Sequence, residues 1–252
     1  MAVLGALGLS IGSFLNVVID RVPRDESIAT RSSYCEVCHT HLGALDLVPV
    51  LSYLFLRGRC RHCSAKIPVR LALVELFTGL VFVYVGHQWG LSWTGALVLV
   101  YSVFLIVVFM IDLQRSLILN KIILPAIIIA LALSPFRPNN TPDEILEVFW
   151  RSMAGGGVGF GVLLLIYIVS RGGMGAGDPK LGAFAGLIVG FPVAFAVLLM
   201  SFVGGGLVGA FLLITGRRGR KEAIPFGPFL AVSGLACLFW GNDIWDWYID
   251  LF

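Results

Sequence analysis

Apolar stretches of 13 to 22 residues alternate with short polar breaks along most of this chain. A helix that crosses a bilayer needs about 20 predominantly apolar residues, so the pattern predicts eight transmembrane helices. The stretches are 2–19, 71–86, 93–112, 117–134, 152–170, 180–192, 194–215 and 224–241. The break between the sixth and the seventh is only Gly190-Phe191-Pro192 and the fourth is short, so seven and nine spans are the alternative counts.

The composition favours an all-α polytopic membrane protein. Of the 252 residues, 58% are hydrophobic and 13% are charged, about half of the roughly 25% charge of soluble domains. This hydrophobicity excludes a disordered chain, and it leaves too few polar residues to coat a soluble α/β enzyme. We predict a first transmembrane helix over 1–19, a polar loop over 20–70, and a membrane domain of about seven helices over 71–252.

Basic residues are distributed unevenly among the predicted loops. If the amino terminus lies outside, 16 of the 18 Lys and Arg residues fall on the inner side of the membrane. A bias of this kind sets the orientation of membrane proteins. We therefore predict an even number of spans, with both termini outside and the loop 20–70 inside.

The polar loop carries four of the five cysteines, arranged in two Cys-x2-Cys pairs: Cys35, Cys38, Cys60 and Cys63. Each pair can turn two thiolates toward one ion, and the 21 residues between the pairs are close to the spacing of a zinc ribbon. A loop of this length has too little apolar area to fold unaided, so a bound metal would stabilise it. We predict structural Zn²⁺; redox chemistry and unliganded thiols are the alternatives.

Three acidic residues lie within or at the edge of the predicted spans: Glu75, Asp112 and Asp178. Such groups are costly in a bilayer and by default mark functional sites. Asp112 ends the third span and Asp178 precedes the sixth, so both are expected at the inner side. Two carboxylates held together in a poorly hydrated site share a proton, and such a dyad can hydrolyse a peptide bond. Proton transport, or a simple helix cap, is the alternative.

Glycines surround Asp178 in the segment GMGAGDPK. Gly175 and Gly177 lack the side chains that would keep another backbone away. Pro179 disfavours helical geometry at the residue before it and suits the first position of a helix. We therefore expect a helix that begins at Pro179, with the Asp178 carboxylate at its amino terminus, where negative charge is favoured.

These segments together resemble the type IV prepilin peptidases, membrane aspartyl proteases of the Gly-x-Gly-Asp class. The matching segments are GSFLNVVIDRVPR at 12–24, the two Cys-x2-Cys pairs, DLVPVLSYLFLRGRCRHC at 46–63, VELFTGLVF at 74–82, IDLQRSLILN at 111–120 and GMGAGDPK at 173–180. They follow the order of the family over about two thirds of the chain. The departures are Pro179 in place of an aliphatic residue, Asn120 where an acidic residue is common, Glu36 in place of a frequent proline, and Thr30-Arg31-Ser32 in place of a more proline-rich stretch.

The resemblance implies that Asp112 and Asp178 are the catalytic aspartates. Gly175, Gly177, Lys180 and Glu75 are expected to support them. Lys180 follows the glycine motif and would orient Asp178 or the substrate, with a topology signal as its alternative role. Glu75 matches the VEL segment of the family, and an ion pair with Arg70 is the alternative to a contact with substrate.

The resemblance also implies a function at the bacterial inner membrane, with the zinc loop and the aspartates on the cytoplasmic side. The expected substrates are prepilins or pseudopilins of type IV pili or type II secretion, which lose a basic leader there. Methylation of the new amino terminus with S-adenosylmethionine is expected as a second activity. Nucleic acid is not an expected partner, and the oligomeric state is not predicted. A cleavage-only peptidase, a proton-coupled transporter and a zinc-organised scaffold are the rival functions.

Overall fold

The computed structural model describes residues 1–29, 33–134, 142–171, 173–216 and 225–250. In these residues the regular structure is helical, and β-pairing is limited to two isolated bridges in the polar loop. The α-helices of the described residues are α1 (Ala2–Arg21), α2 (Leu51–Phe55), α3 (Val69–Trp89), α4 (Trp93–Arg115), α5 (Asn120–Leu133), α6 (Pro142–Ser170), α7 (Asp178–Val189), α8 (Val193–Ile214) and α9 (Gly227–Ile249). The predicted all-α class is confirmed, and each predicted apolar stretch overlaps one of the longer helices.

Several of these helices have the length and composition of membrane spans. Five are long and apolar enough to cross a bilayer: Ala2–Arg24, Val69–Trp89, Trp93–Arg115, Ile145–Ser170 and Val193–Ile214. Asn120–Leu133 and Gly227–Gly241 are shorter apolar helices. Only 17% of the most apolar window of α8 is buried, and lipid is the solvent in which such an apolar surface is stable. The protein is therefore a multi-pass membrane protein.

The chain forms two compact units, and the first comprises Met1–Leu99. In this unit α1 packs antiparallel against α3 through small residues. A Cβ atom on Gly8 would lie 2.9 Å from the Cα of Gly79, and one on Gly12 would lie 2.7 Å from the Cα of Glu75. Close backbone approach at small residues stabilises helix pairs in lipid, where no hydrophobic force between helices exists. It places the polar end of α1 beside the beginning of α3.

The second unit comprises Val100–Phe252, and α7 is its central helix. This helix contacts α5, α6, α8 and α9, and Leu181, Phe184 and Ala185 are fully buried. At about 1.5 Å per residue, its 12 residues extend only about 18 Å. Since α7 is short and enclosed on several sides, the position of its first residue, Asp178, is fixed by its neighbours.

Glycines make the contact between α6 and α7 unusually close. Gly155 and Gly159 of α6 lie opposite Gly186 and Gly182 of α7. A Cβ atom on Gly159 would lie 2.7 Å from the carbonyl carbon of Gly182, and one on Gly186 would lie 2.6 Å from the carbonyl carbon of Gly155. Real Cβ atoms essentially never approach another atom so closely, so the two backbones meet only because side chains are absent on both sides.

Candidate functional site

Asp112 lies in the last turn of α4 and is 4% exposed. The first residue of α9, Gly227, packs directly against it, because a Cβ atom on Gly227 would lie 2.5 Å from Asp112 Oδ2. Among the described residues, this oxygen accepts no well-formed hydrogen bond, although the Gly227 backbone N–H interacts with the carboxylate. An unpaired buried acceptor is rare in folded proteins and calls for an explanation such as catalysis or bound water.

Asp178 is the first residue of α7 and is also 4% exposed. Its Oδ2 accepts a hydrogen bond of 2.9 Å from the Gly175 backbone N–H, and its own N–H donates to the Gly175 carbonyl at 3.1 Å. The expectation that the helix begins at Pro179 is wrong by one residue. The Gly177 carbonyl accepts the first helical bonds, so Asp178 is already helical and Pro179 takes the next position, where its missing N–H is not needed.

The two aspartates are brought together within the second unit. The side chain of Ile118, between α4 and α5, fills the space beside both of their glycine neighbours. A Cβ atom on Gly177 would lie 2.5 Å from Ile118 Cβ, and one on Gly227 would lie 3.3 Å from Ile118 Cδ1. Asp112 also lies within electrostatic range of Asp178. Carboxylates from two distant parts of the chain therefore lie close enough to interact electrostatically, and their catalytic pairing stays a prediction.

The side-chain hydrogen bond of Lys180 goes to neither aspartate. Its Nζ donates a bond of 2.7 Å to Oδ1 of Asn120, the first residue of α5. This contact joins the beginnings of α5 and α7, and it uses the position at which the sequence departs from the acidic residue common in the resembling family. Lys180 is thus placed to position α7.

Sequence reasoning missed Gly227 and Ile118. A helix start could be read from the Gly227-Pro228 dipeptide, because proline suits the first turn. Nothing in the sequence indicates, however, that this glycine lies against Asp112. Ile118 resembles any other apolar residue of a short connection.

The four cysteines of the polar loop form one cluster in the first unit. Their Sγ atoms all lie within 4.8 Å of one another, with Cys35–Cys63 at 3.8 Å and Cys38–Cys60 at 4.0 Å. A tetrahedral Zn²⁺ with Zn–S bonds of about 2.3 Å separates its sulfurs by about 3.8 Å. The donor set and its spacing therefore fit a closed structural zinc site, and Cys237, buried in α9, is not part of it.

The two Cys-x2-Cys pairs have the same local backbone. The first cysteine of each pair donates its N–H to the residue five positions later, from Cys35 to Thr40 and from Cys60 to Ala65. The residue after each second cysteine has a positive φ, 54° at His39 and 58° at Ser64. Hydrogen bonds from the side chain and backbone of Thr40 lower the pKa of Cys38 to about 6, which favours the thiolate form that binds metals.

Glu75, in α3 of the first unit, has a backbone partner. Its Oε2 accepts a hydrogen bond of 2.7 Å from the N–H of Val50. Arg70, the alternative partner inferred from the sequence, instead pairs with Asp20 through a 2.5 Å contact between Nη2 and Oδ1. The structure thus places Glu75 beside the polar loop of its own unit.

Two family models match the chain: the bacterial peptidase A24 N-terminal domain over residues 6–89 and the type IV leader peptidase family over residues 99–210. A prepilin leader peptidase/N-methyltransferase of Bacillus subtilis is 31% identical over 254 residues, which cover 100% of this chain and 98% of the relative. The chain belongs to the type IV leader peptidase family. Proteins of the same name from Stutzerimonas stutzeri and Aeromonas hydrophila are each 33% identical, with 97% of this chain and 92% of each relative covered. No solved structure matches the chain.

Membership in the type IV leader peptidase family confirms the resemblance that the ordered motifs indicated. The two matched regions agree with the two compact units, since the first contains the four cysteines and the second contains both aspartates. The catalytic and supporting roles of individual residues stay predictions.

Proposed function

We propose that this protein is a membrane aspartyl endopeptidase that removes the basic leader of prepilins or pseudopilins and then N-methylates the new amino terminus. One observation carries the peptidase half. Two carboxylates from α4 and α7, each 4% exposed, lie in electrostatic range of each other, and one Asp112 oxygen accepts no well-formed hydrogen bond among the described residues. The relatives' names support both halves of the proposal.

The chemistry follows from the burial of two like charges. In a low-dielectric site two neighbouring carboxylates do not both ionise readily, so the pair retains one proton. The ionised member takes a proton from water, which attacks the peptide carbonyl, and the protonated member donates to the departing amine. The hydrogen bond from Gly175 fixes the orientation of Asp178, while Oδ2 of Asp112, which accepts no well-formed hydrogen bond from the described residues, remains available for the water.

The proposed substrate suits the site because of its own chemistry. A prepilin carries a basic leader followed by an apolar helix, so its scissile bond lies at the membrane surface while the leader remains in water. We place that surface on the cytoplasmic side of the bacterial inner membrane, and the uneven distribution of Lys and Arg supports this orientation. Asp112 lies in the last turn of a helix that is long and apolar enough to cross a bilayer, which supports cleavage at the membrane surface.

We assign Zn²⁺ to the four-cysteine cluster, where it would stabilise the loop without taking part in hydrolysis. S-adenosylmethionine is the proposed methyl donor, and it would supply an activated methyl group for transfer to the amine released by cleavage. The aspartates need neither group for the steps above.

Asp112→Asn and Asp178→Asn test the peptidase. Asparagine keeps the shape of the side chain but cannot exchange the proton, so we expect each variant to lose cleavage by about 10³-fold. Asp243→Asn is the matched control, because Asp243 is an exposed aspartate of the same unit. Purified protein is incubated with a prepilin and S-adenosylmethionine, and the products are identified by mass.

The same mass spectrum separates the rival functions. Cleavage without a methyl group on the product would reduce the proposal to a peptidase. Cleavage by either Asp→Asn variant at a rate close to that of Asp243→Asn would refute the dyad. An intact substrate with the wild-type protein, together with proton flux in liposomes, would favour a transporter.

A further inference from the structure

The short helix α2 of the polar loop has an exposed apolar face, formed by Leu51, Leu54 and Phe55. These residues are spaced by three and four positions, so they share one side of the helix. Their exposed fractions are 51%, 63% and 84%. A helix that is surrounded by water and packed on a protein turns its apolar side inward. The outward orientation of this apolar face therefore indicates that something other than water covers it.

The interior of the loop fixes this orientation of α2. Ser52, Tyr53 and Leu56, on the other side of the helix, line a cavity of about 340 Å³ in the first unit. The N–H of Gly58 donates to the Tyr53 carbonyl at 2.8 Å, and a Cβ atom on Gly58 would lie 2.7 Å from the Tyr53 hydroxyl oxygen. The helix cannot rotate to bury its apolar face in its own loop without losing these contacts.

The contact between Val50 and Glu75 gives the depth of α2 relative to the membrane helix α3. Val50, with a φ of +59°, directly precedes α2, and its N–H donates to Glu75 Oε2 at 2.7 Å. Glu75 is the seventh residue of α3, about 9 Å from the beginning of that helix at about 1.5 Å per residue. Val69 and Leu73 of α3, which come before Glu75, are apolar and exposed. Because α3 is long and apolar enough to span a bilayer, α2 begins at the level where lipid surrounds α3.

Cations without a counter-charge follow the apolar face along the chain. Arg57, Arg59 and Lys66 are exposed, and none of them forms an ion pair with an acidic residue of the described part of the chain. Arg59 and Lys66 lie opposite each other in an isolated antiparallel bridge. Like charges in this arrangement destabilise each other, so the three cations are suited to an anionic partner.

Arg57 occupies a position at which the backbone favours glycine. It follows Leu56, the C-cap of α2, and its φ of +52° lies in the left-handed region. Glycine is the usual residue at this place because a Cβ atom is disfavoured there. The backbone therefore does not account for an arginine here, whereas a contact of its guanidinium group with an anion would offset the cost.

We propose that the apolar face of α2, together with Arg57, Arg59 and Lys66, binds the surface of an anionic phospholipid leaflet. The apolar face enters the boundary between headgroups and acyl chains, as the apolar sides of interfacial helices do. The guanidinium groups pair with headgroup phosphates, whose geometry suits bidentate binding by arginine. Anionic headgroups attract each nearby cation further. This contact concerns the polar loop, and it is independent of the proposed peptidase and methyltransferase activities.

Lipid contact is tested in full-length protein in which the photoreactive residue p-benzoylphenylalanine replaces Phe55. Phe55 is highly exposed, so its replacement should not disturb the fold. The protein is reconstituted in nanodiscs with equal amounts of phosphatidylglycerol and phosphatidylcholine that carry the same acyl chains. After irradiation, mass spectrometry should detect a lipid adduct on the peptide that contains position 55. If this variant is not monodisperse, the same reaction at Leu54, on the same face, gives the measurement.

Val37 is the matched control position for the photoreactive residue. It is an apolar residue of the same loop that is 69% exposed, but it lies next to the exposed Glu36. An anionic leaflet repels that carboxylate, so the lipid adduct at position 37 should be at least about fivefold weaker.

The headgroup preference tests the cations. Because both lipids have the same acyl chains, the ratio of their adducts at position 55 reports only the headgroup. We expect phosphatidylglycerol adducts to exceed phosphatidylcholine adducts by about threefold or more, and the double substitution Arg57→Gln with Arg59→Gln to bring the ratio within about 1.5-fold of unity. Arg61→Gln is the matched control, because Arg61 already pairs with Asp46 at 2.8 Å, and it should keep a ratio above about twofold.

Several results would overturn the proposal. An adduct of position 55 with another segment of this chain or with a second copy, in place of lipid, would show that protein covers the apolar face. Equal lipid labelling at positions 37 and 55 would remove the distinction on which the face rests. Equal labelling by the two lipids before any arginine is replaced would refute the anionic leaflet.

Discussion

A single methyl group on the α6 face at Gly159 should disable the proposed protease. In Gly159→Ala the new Cβ atom would lie 2.7 Å from the carbonyl carbon of Gly182 in α7, whereas ordinary van der Waals contact begins at 3.4 Å. The obstacle is backbone, which cannot rotate away as a side chain would. The two helices must therefore separate by about 0.7 Å or more, since protein interiors offer no free volume to absorb the difference.

This separation reaches the candidate site because Asp178 begins α7, four residues before Gly182. Misplacing a catalytic group by about 1 Å costs on the order of 10²-fold in rate, so a displacement of 0.7 Å or more should lower kcat by roughly 10- to 100-fold. Helix propensity acts in the opposite direction, because alanine is favoured over glycine by about 1 kcal/mol. A loss of activity would thus report the steric effect and not a weaker helix.

Gly157→Ala is the matched control on the same helix. A Cβ atom at Gly157 meets nothing within 4 Å, so this variant gains the same propensity without a clash. Both proteins are compared by initial rates of prepilin cleavage and by Tm in the same detergent. If Gly159→Ala cleaves within about twofold of Gly157→Ala, the close contact does not set the position of Asp178 and the reasoning is wrong.

Two further predictions concern the supporting residues. Lys180→Met removes an exposed hydrogen bond to Asn120, worth at most about 1 kcal/mol, so kcat/KM for cleavage should fall no more than about fivefold. A loss near 10³-fold would instead place Lys180 at the reacting atoms. Cys38→Ser should reduce the zinc measured by mass spectrometry of the purified protein from about one ion per chain and expose the loop to proteolysis. Cys237→Ser, outside the cluster and packed near Met200, should change neither, and unchanged zinc content in Cys38→Ser would refute the four-cysteine site.

The helices could be predicted from hydropathy because a bilayer leaves the backbone few alternatives. Every N–H and C=O group in lipid needs an internal partner, so an apolar stretch of sufficient length becomes a helix. The ends of the helices were harder to predict from the sequence. The stretch predicted over 152–170 begins in the structure at Pro142 and includes the exposed Glu147–Arg151 pair. A hydropathy window detects the part in lipid and not its polar extension.

The pairing of helices could not be predicted from the sequence, although the glycines that make the contact could be identified there. Gly155, Gly157 and Gly159 lie close together in α6, and the sequence alone does not distinguish them. In the structure the first and third meet the backbone of α7, while Gly157 meets nothing within 4 Å. Which face of a glycine-rich helix is packed depends on the neighbour, and hydropathy carries no information about that neighbour.

The candidate carboxylates could be found from the sequence because an acid in a membrane segment is conspicuous, but their partners could not. Asp178 is held by the N–H of Gly175, and Glu75 by the N–H of Val50. Every residue except proline carries such a donor, so no side-chain signature distinguishes the residue that supplies it. What selects the donor is a local backbone conformation, a glycine-rich turn in one unit and a positive φ in the other. The motifs therefore mark where chemistry is possible, and the backbone around them decides which atom of each carboxylate remains free to react.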